Sequence, residues 1–201
     1  MFSKTVEQRH TSTENHRPGP MESCRIHIVG ASGSGVTTLG RAVAGALAIP
    51  HHDTDDYYWK PTTPPYREKR DVAERVRLMH ELFLPRPKWV LSGSLDSWGA
   101  PIVPYFDLVV FLRVPTETRL KRLQDREFRR YGRHAVTLGG RHQETEEFLE
   151  WAAHYDDGSR DGRSLARHQI WLQTLTCPVL HLDGTRATDQ LVADVMAAVL
   201  R

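Results

Sequence analysis

Gly30-Ala31-Ser32-Gly33-Ser34-Gly35-Val36-Thr37 decides the reading of this chain. A short strand, in which Ile26 and Ile28 alternate with His27 and Val29, precedes it, and Leu39, Val43, Ala46 and Leu47 follow at helical spacing. A glycine–serine loop between a strand and a helix matches the pattern G-x-x-x-x-G-K-[S/T], whose main-chain N–H groups cradle phosphates. The glycines turn successive amides into one concavity, and the helix N-terminus adds its positive end. Such a loop holds phosphate without a cationic side chain. On this reading Gly30, Ala31, Ser32, Gly33, Ser34, Gly35, Val36, Thr37 and Thr38 form the nucleotide-phosphate site, and the Thr37 hydroxyl stands where Mg2+ is ligated. One position departs from the pattern. Val36 occupies the place of the lysine that lies along the β- and γ-phosphates. Either Arg126, Arg163 or Arg167 supplies that charge, or transfer is weak, or the loop binds without transferring.

Outward from this loop the pattern is α/β. A strand ends at Gly30 and a helix runs from Thr37 to Leu47; Ile49 to Asp53 is extended. Val72, Val76, Met79 and Phe83 share one helix face, and Pro85 and Pro87 stop that helix. Trp89 to Leu91 starts a buried strand. Leu108 to Val114 is almost unbroken in its apolarity, as in a parallel sheet covered on both faces. Thr116 is placed to cap a long basic helix reaching about Tyr131. Val179 to Leu182 forms the last strand, and Leu191, Val195, Met196, Val199 and Leu200 mark a closing helix. Strands alternating with helices predict a three-layer parallel α/β domain over residues 24–201. Residues 127–165, rich in Arg, Glu, Gly and His, leave this pattern. Two readings fit them: a helical lid over a site, or a plain surface insertion. Residues 1–23 are polar and aperiodic and read as a disordered tail, with Met21 as an alternative start.

Composition excludes several classes. At 201 residues the chain has room for one domain. A net charge of +2 is too small for a nucleic-acid polycation, and no apolar run is long enough to cross a membrane. Cys24 and Cys177 read as buried free thiols in a reducing cytoplasm. The eleven histidines show no metal-ligand spacing, and adjacent His51 and His52 project to opposite sides of a strand.

Two charged clusters fall near the loop. His52-Asp53-Thr54-Asp55-Asp56 leaves the end of the second strand, on the side where open α/β sheets bind ligands. Two carboxylates two residues apart on an extended segment point the same way. One can hold a Mg2+-bound water while the other takes a proton from an attacking hydroxyl. A solvated turn or a helix cap is the alternative. Tyr57, Tyr58 and Trp59 either wall a substrate pocket or pack beneath the loop. Arg119, Arg122, Arg126, Arg129, Arg130 and Arg133 recur at helical steps and make a cationic surface, with Leu120 and Leu123 towards the core. Guanidinium groups suit phosphate contact and stacking on a base. RNA binding competes with this, but no aromatic residue falls among Arg119, Arg122 and Arg126. Arg163 and Arg167, one helical turn apart, can reach over transferred phosphate or remain at the surface.

With these residues, positions 25–201 resemble the nucleoside and small-metabolite kinases of the P-loop superfamily: adenylate, shikimate and gluconate kinase. The chain is more closely similar to a bacterial adenylate-kinase-related group of undefined substrate. The resemblance implies a five-stranded parallel sheet in order 2-3-1-4-5 with a helical lid, and ATP and Mg2+ as partners. It implies Asp53 for Mg2+ and Asp55 for the acceptor hydroxyl. Ser92-Gly93-Ser94 takes the place of a glycine-rich substrate turn. Arg122 and Arg126 match lid-base arginines that touch adenine and phosphate, and Arg163 matches the arginine after the lid. Asp183-Gly184-Thr185 resembles the turn lying against adenine. An Asp-Gly-Phe-Pro motif is absent, which argues against AMP as acceptor. The function implied is an ATP-dependent phosphotransferase acting on a small hydroxyl or phosphate acceptor. The alternatives are a nucleotide-binding sensor with little transfer activity and an RNA-processing factor.

Overall fold

The computed structural model describes residues 22–95, 97–132 and 140–200, with side chains in the last segment from His142. The expected tail thus lies outside the described residues except for Glu22 and Ser23, as do Arg133 and Gly139. In chain order the elements are β1 (Cys24–Gly30), α1 (Val36–Leu47), β2 (His51–Asp53), α2 (Thr54–Tyr58), α3 (Val72–Leu82) and β3 (Lys88–Ser92). After a 3-10 turn at Val103–Tyr105 come β4 (Leu108–Arg113), α4 (Thr116–Tyr131), α5 (Gly140–Ala153), α6 (Leu165–Gln173), β5 (Val179–Asp183) and α7 (Thr188–Val199). The strands form one parallel sheet in the order β2-β3-β1-β4-β5.

The apolar runs are explained by cover on both faces. Strand side chains alternate, so Ile26, Ile28, Val110 and Leu112 pack with α1 and α7 through Leu39, Val43, Leu191 and Val195. Val29, Val109 and Phe111 point the other way, into a cluster with Met79, Phe83, Trp89 and Leu172. Helix α6, which the sequence reading did not place, completes that second layer through Leu172 and His168. Cys24 is buried and Cys177 half-buried, and both are free thiols.

His27 is buried in that second layer, with Nδ1 against the Leu91 carbonyl at 3.1 Å and its ring stacked on Phe106. His168 is buried as well, its Nδ1 2.7 Å from the Tyr155 hydroxyl. Burial disfavours the charged imidazole and lowers His27 to about 3 and His168 to about 4. The unfolded chain binds these protons from about pH 6.5 downwards while the folded chain refuses them. Stability is therefore full above that pH and is lost as the pH falls towards the folded values. His27 alone accounts for on the order of 4 kcal/mol of this loss. Thermal unfolding should show Tm falling steeply below about pH 6.5, and His27→Leu should flatten that slope. An unchanged slope would place the acid sensitivity elsewhere.

Candidate functional site

The carboxyl ends of the strands bring the loop and the acidic segment together. Asp53 ends β2 opposite Ser92 of β3, and Gly30 ends β1 opposite Leu112 of β4. Edge strand β2 is fixed from within, because His51 Nε2 lies 2.9 Å from Ser92 Oγ. Beyond β1 the chain turns at Gly33, whose φ of 81° is left-handed. A Cβ there would come within 2.6 Å of the Arg119 carbonyl oxygen, so the loop lies directly on the backbone of α4. Ser34 Oγ is buried and has no hydrogen-bond partner among the described residues. An orphaned donor at the N-terminus of α1, on a glycine loop held tightly against α4, fits a phosphate group. Val36 is the first residue of α1; a Cβ on Gly30 would lie 3.3 Å from its side chain, which packs against the core.

Thr37 and Asp53 meet across the gap. The Thr37 hydroxyl donates to Asp53 Oδ2 at 2.8 Å. The other carboxylate oxygen, Oδ1, accepts the Asp55 N–H at 3.0 Å and so caps α2. Of the two readings of this segment the structure shows the helix cap, and it corrects the extended one. Asp53 and Asp55 do not share an extended segment; the strand stops at Asp53 and Thr54–Tyr58 is a short helix. A carboxylate that can cap the next turn ends the strand where hydrophobic alternation alone would have extended it. A hydroxyl and a carboxylate are hard oxygen donors and fit Mg2+, which takes few protein ligands beside phosphate oxygens and waters. Among the described residues no group of three or more His, Cys, Asp or Glu could hold a metal ion.

Asp55 follows in the first turn of α2. Asp55 is exposed, yet surrounding protein partly desolvates it. That desolvation raises its pKa, and the charges of Asp53 and Asp56 push the same way. Arg163 and Arg126 oppose the shift, so both guanidinium groups act on this carboxylate. The turn after β3 approaches from the other side; Gly93 has φ 114°, and a Cβ on it would overlap Thr54. Tyr57 packs beneath α2, its hydroxyl 2.8 Å from His52 Nδ1. Tyr58 and Trp59 are half-buried, and the guanidinium of buried Arg75 lies 3.8 Å from the centre of the Tyr58 ring.

The arginines of α4 divide by environment. Arg122 donates to the carbonyls of Ser34 at 3.4 Å and Gly184 at 3.1 Å, joining the loop to the turn after β5. With Ser34, Gly35, Thr38, Gly184 and Thr188 it lines a cavity of about 210 Å³. Thr185 is not among the lining residues; its hydroxyl and N–H are spent on Asp183 Oδ1. Thr188 and Arg186 were missed from sequence, although the Thr-Arg-Ala-Thr-Asp run before the last helix carries capping residue types. Arg126 pairs with buried Glu127 at 3.1 Å and lies over Phe148, while Arg163 lies over Trp151. Arg119 is not part of the cationic surface: it is fully buried. Thr116 is not the cap of α4, which begins after Pro115 without a side-chain cap; the Thr116 hydroxyl turns to Asp156 instead.

Over 171 residues the chain is 42% identical to the uncharacterized protein YqaC of Bacillus subtilis (strain 168), spanning 85% of this chain and 94% of that one. The chain belongs to the YqaC family. No family model matches the sequence. Solved structures extend the family's fold. A shikimate kinase from Acinetobacter baumannii superimposes with a TM-score of 0.53 at 18% identity, covering 89% of this chain and 93% of that one. A gluconokinase from Sinorhizobium meliloti 1021 also gives 0.53, at 17% identity over 90% and 93%. Shikimate kinase from Aquifex aeolicus gives 0.51, at 16% identity over 88% and 96%. This YqaC relative therefore has the P-loop kinase fold, with the sheet order that the resemblance implied. No described helix is long and apolar enough to cross a membrane.

Proposed function

We propose that the chain transfers the terminal phosphoryl group of ATP to a hydroxyl group of a small molecule. The observation that carries this reading is the Thr37–Asp53 hydrogen bond, which closes the phosphate loop onto the acidic turn that presents Asp55. The loop from Gly30 to Thr38 holds the phosphates through its amides. Arg122 and Gly184 border the base in the cavity they share with Thr38. Thr37 and Asp53 hold Mg2+, whose chemistry at this place is to neutralise phosphate charge. Asp55 takes the proton of the acceptor hydroxyl while that oxygen bonds to phosphorus and the diphosphate departs. A base is needed for a hydroxyl more than for a phosphate acceptor, so its presence favours the hydroxyl. Arg126 and Arg163, whose charges both act on Asp55, replace the lysine missing at Val36. Residues 127–165 serve as the lid that excludes water. The setting is the reducing cytoplasm, in which both thiols persist.

Calorimetry of the purified chain with Mg2+ and ATP should show saturable heat. Incubation with ATP and a cell extract should then yield a new phosphorylated metabolite by mass spectrometry. Absence of heat with any nucleoside triphosphate would sink the reading. Val36 favours a second one, a nucleotide sensor, and binding without any turnover would select it.

A further inference from the structure

Arg119 is a cation with no exposed surface, on a helix whose other described arginines are half-buried or exposed. Burying a guanidinium costs stability unless its N–H groups find oxygens. Those oxygens come from separate parts of the chain. Nε donates to the Val114 carbonyl at 3.2 Å, just past β4. Nη1 donates to the carbonyls of Ser32 at 3.5 Å and Ala152 at 3.1 Å. Nη2 donates to Thr116 Oγ1 at 2.7 Å and pairs with Asp156 at 3.3 Å; the Thr116 hydroxyl also donates to Asp156. The Tyr155 ring covers the guanidinium at 5.1 Å. Ser32 belongs to the phosphate loop, Ala152 to the last turn of α5 and Asp156 to the turn beyond it. The main chain of the same residue carries the loop at Gly33. A cation among the terminal carbonyls of α5 also suits that helix's dipole.

We infer that Arg119 is a positioning residue that couples α5 to the phosphate loop, so that the anion-holding shape of the loop follows the position of α5. An apolar side chain could fill the same space at less cost. Only a planar fork can engage loop, strand end and α5 together. The inference rests on reading residues 30–37 as the phosphate site, and it gives the α5 segment a route to that site.

Hydrogen exchange read by mass spectrometry on the full chain tests it. Asp156→Ala removes a partly exposed carboxylate that touches no loop residue and loosens the grip on Arg119. Exchange at the amides of Gly33–Gly35 should rise about tenfold while α7 keeps its protection. Arg119→Lys should do the same; if that variant fails to fold, Asp156→Ala decides alone. A change confined to residues 116–119 and 152–157, or an equal rise everywhere including α7, would overturn the coupling. Fluorescent ADP binding is measured in parallel. A wild-type chain that binds no nucleotide removes the phosphotransfer reading, and the exchange data still decide the coupling.

Discussion

Asp55→Asn is expected to lower kcat for phosphotransfer by about a thousandfold while ATP binding persists. The carboxylate stands at the start of α2, two residues after the carboxylate that bonds Thr37, and Arg163 and Arg126 both act on it. Asn keeps the shape and removes the base. Desolvation and the charges of Asp53 and Asp56 raise its pKa, so the acid limb of kcat/KM should lie above the ordinary carboxylate range. That limb should vanish in the variant. The same shift has a consequence for stability. The folded chain binds this proton more tightly than the unfolded chain, so ionisation at neutral pH opposes folding. The opposition disappears as the pH falls below the ordinary carboxylate value. Asp55→Asn should therefore raise Tm at pH 7 and give no gain in acid, a trade of stability against activity. Equal turnover in variant and wild type would remove Asp55 from the chemistry.

Gly33→Ala should have the second large effect, on binding. Its φ of 81° disfavours any L side chain, and the new Cβ would lie 2.6 Å from the Arg119 carbonyl oxygen. That oxygen belongs to helix backbone and cannot swing aside, so the loop must lift. The strain costs about 2–5 kcal/mol of stability. Lifting the loop turns its amides from the phosphates, and hydrogen bonds to charged groups are the strong ones. Loss of two of them should weaken ATP binding at least about 100-fold by calorimetry. Retained affinity would mean that the nucleotide is held elsewhere.

The phosphate loop and the sheet were legible in the sequence because both rest on local rules. Glycine spacing between a strand and a helix marks one, and two-sided cover of Leu108–Val114 marks the other. What escaped depends on contacts distant in sequence. Periodicity placed Arg119 on the face of a surface stripe, and only the arrival of α5, with Ala152 and Asp156, buries it. Thr116 has the residue type of a helix cap, but Asp156, forty positions on, claims its hydroxyl. The acidic turn was found with a helix cap among its readings, but residue types alone did not select it over an extended segment; the bond from the Asp55 amide to Asp53 does. Helix α6 carries little amphipathic signal: its buried face includes His168, which reads as polar in any pattern.

Asp53 divides its two oxygens between unrelated tasks, one towards Thr37 and one towards the amide that starts α2. Replacement by alanine would remove both contacts in a single step, whereas asparagine would still start the helix and give up only the charge, so drift at this position has one narrow path.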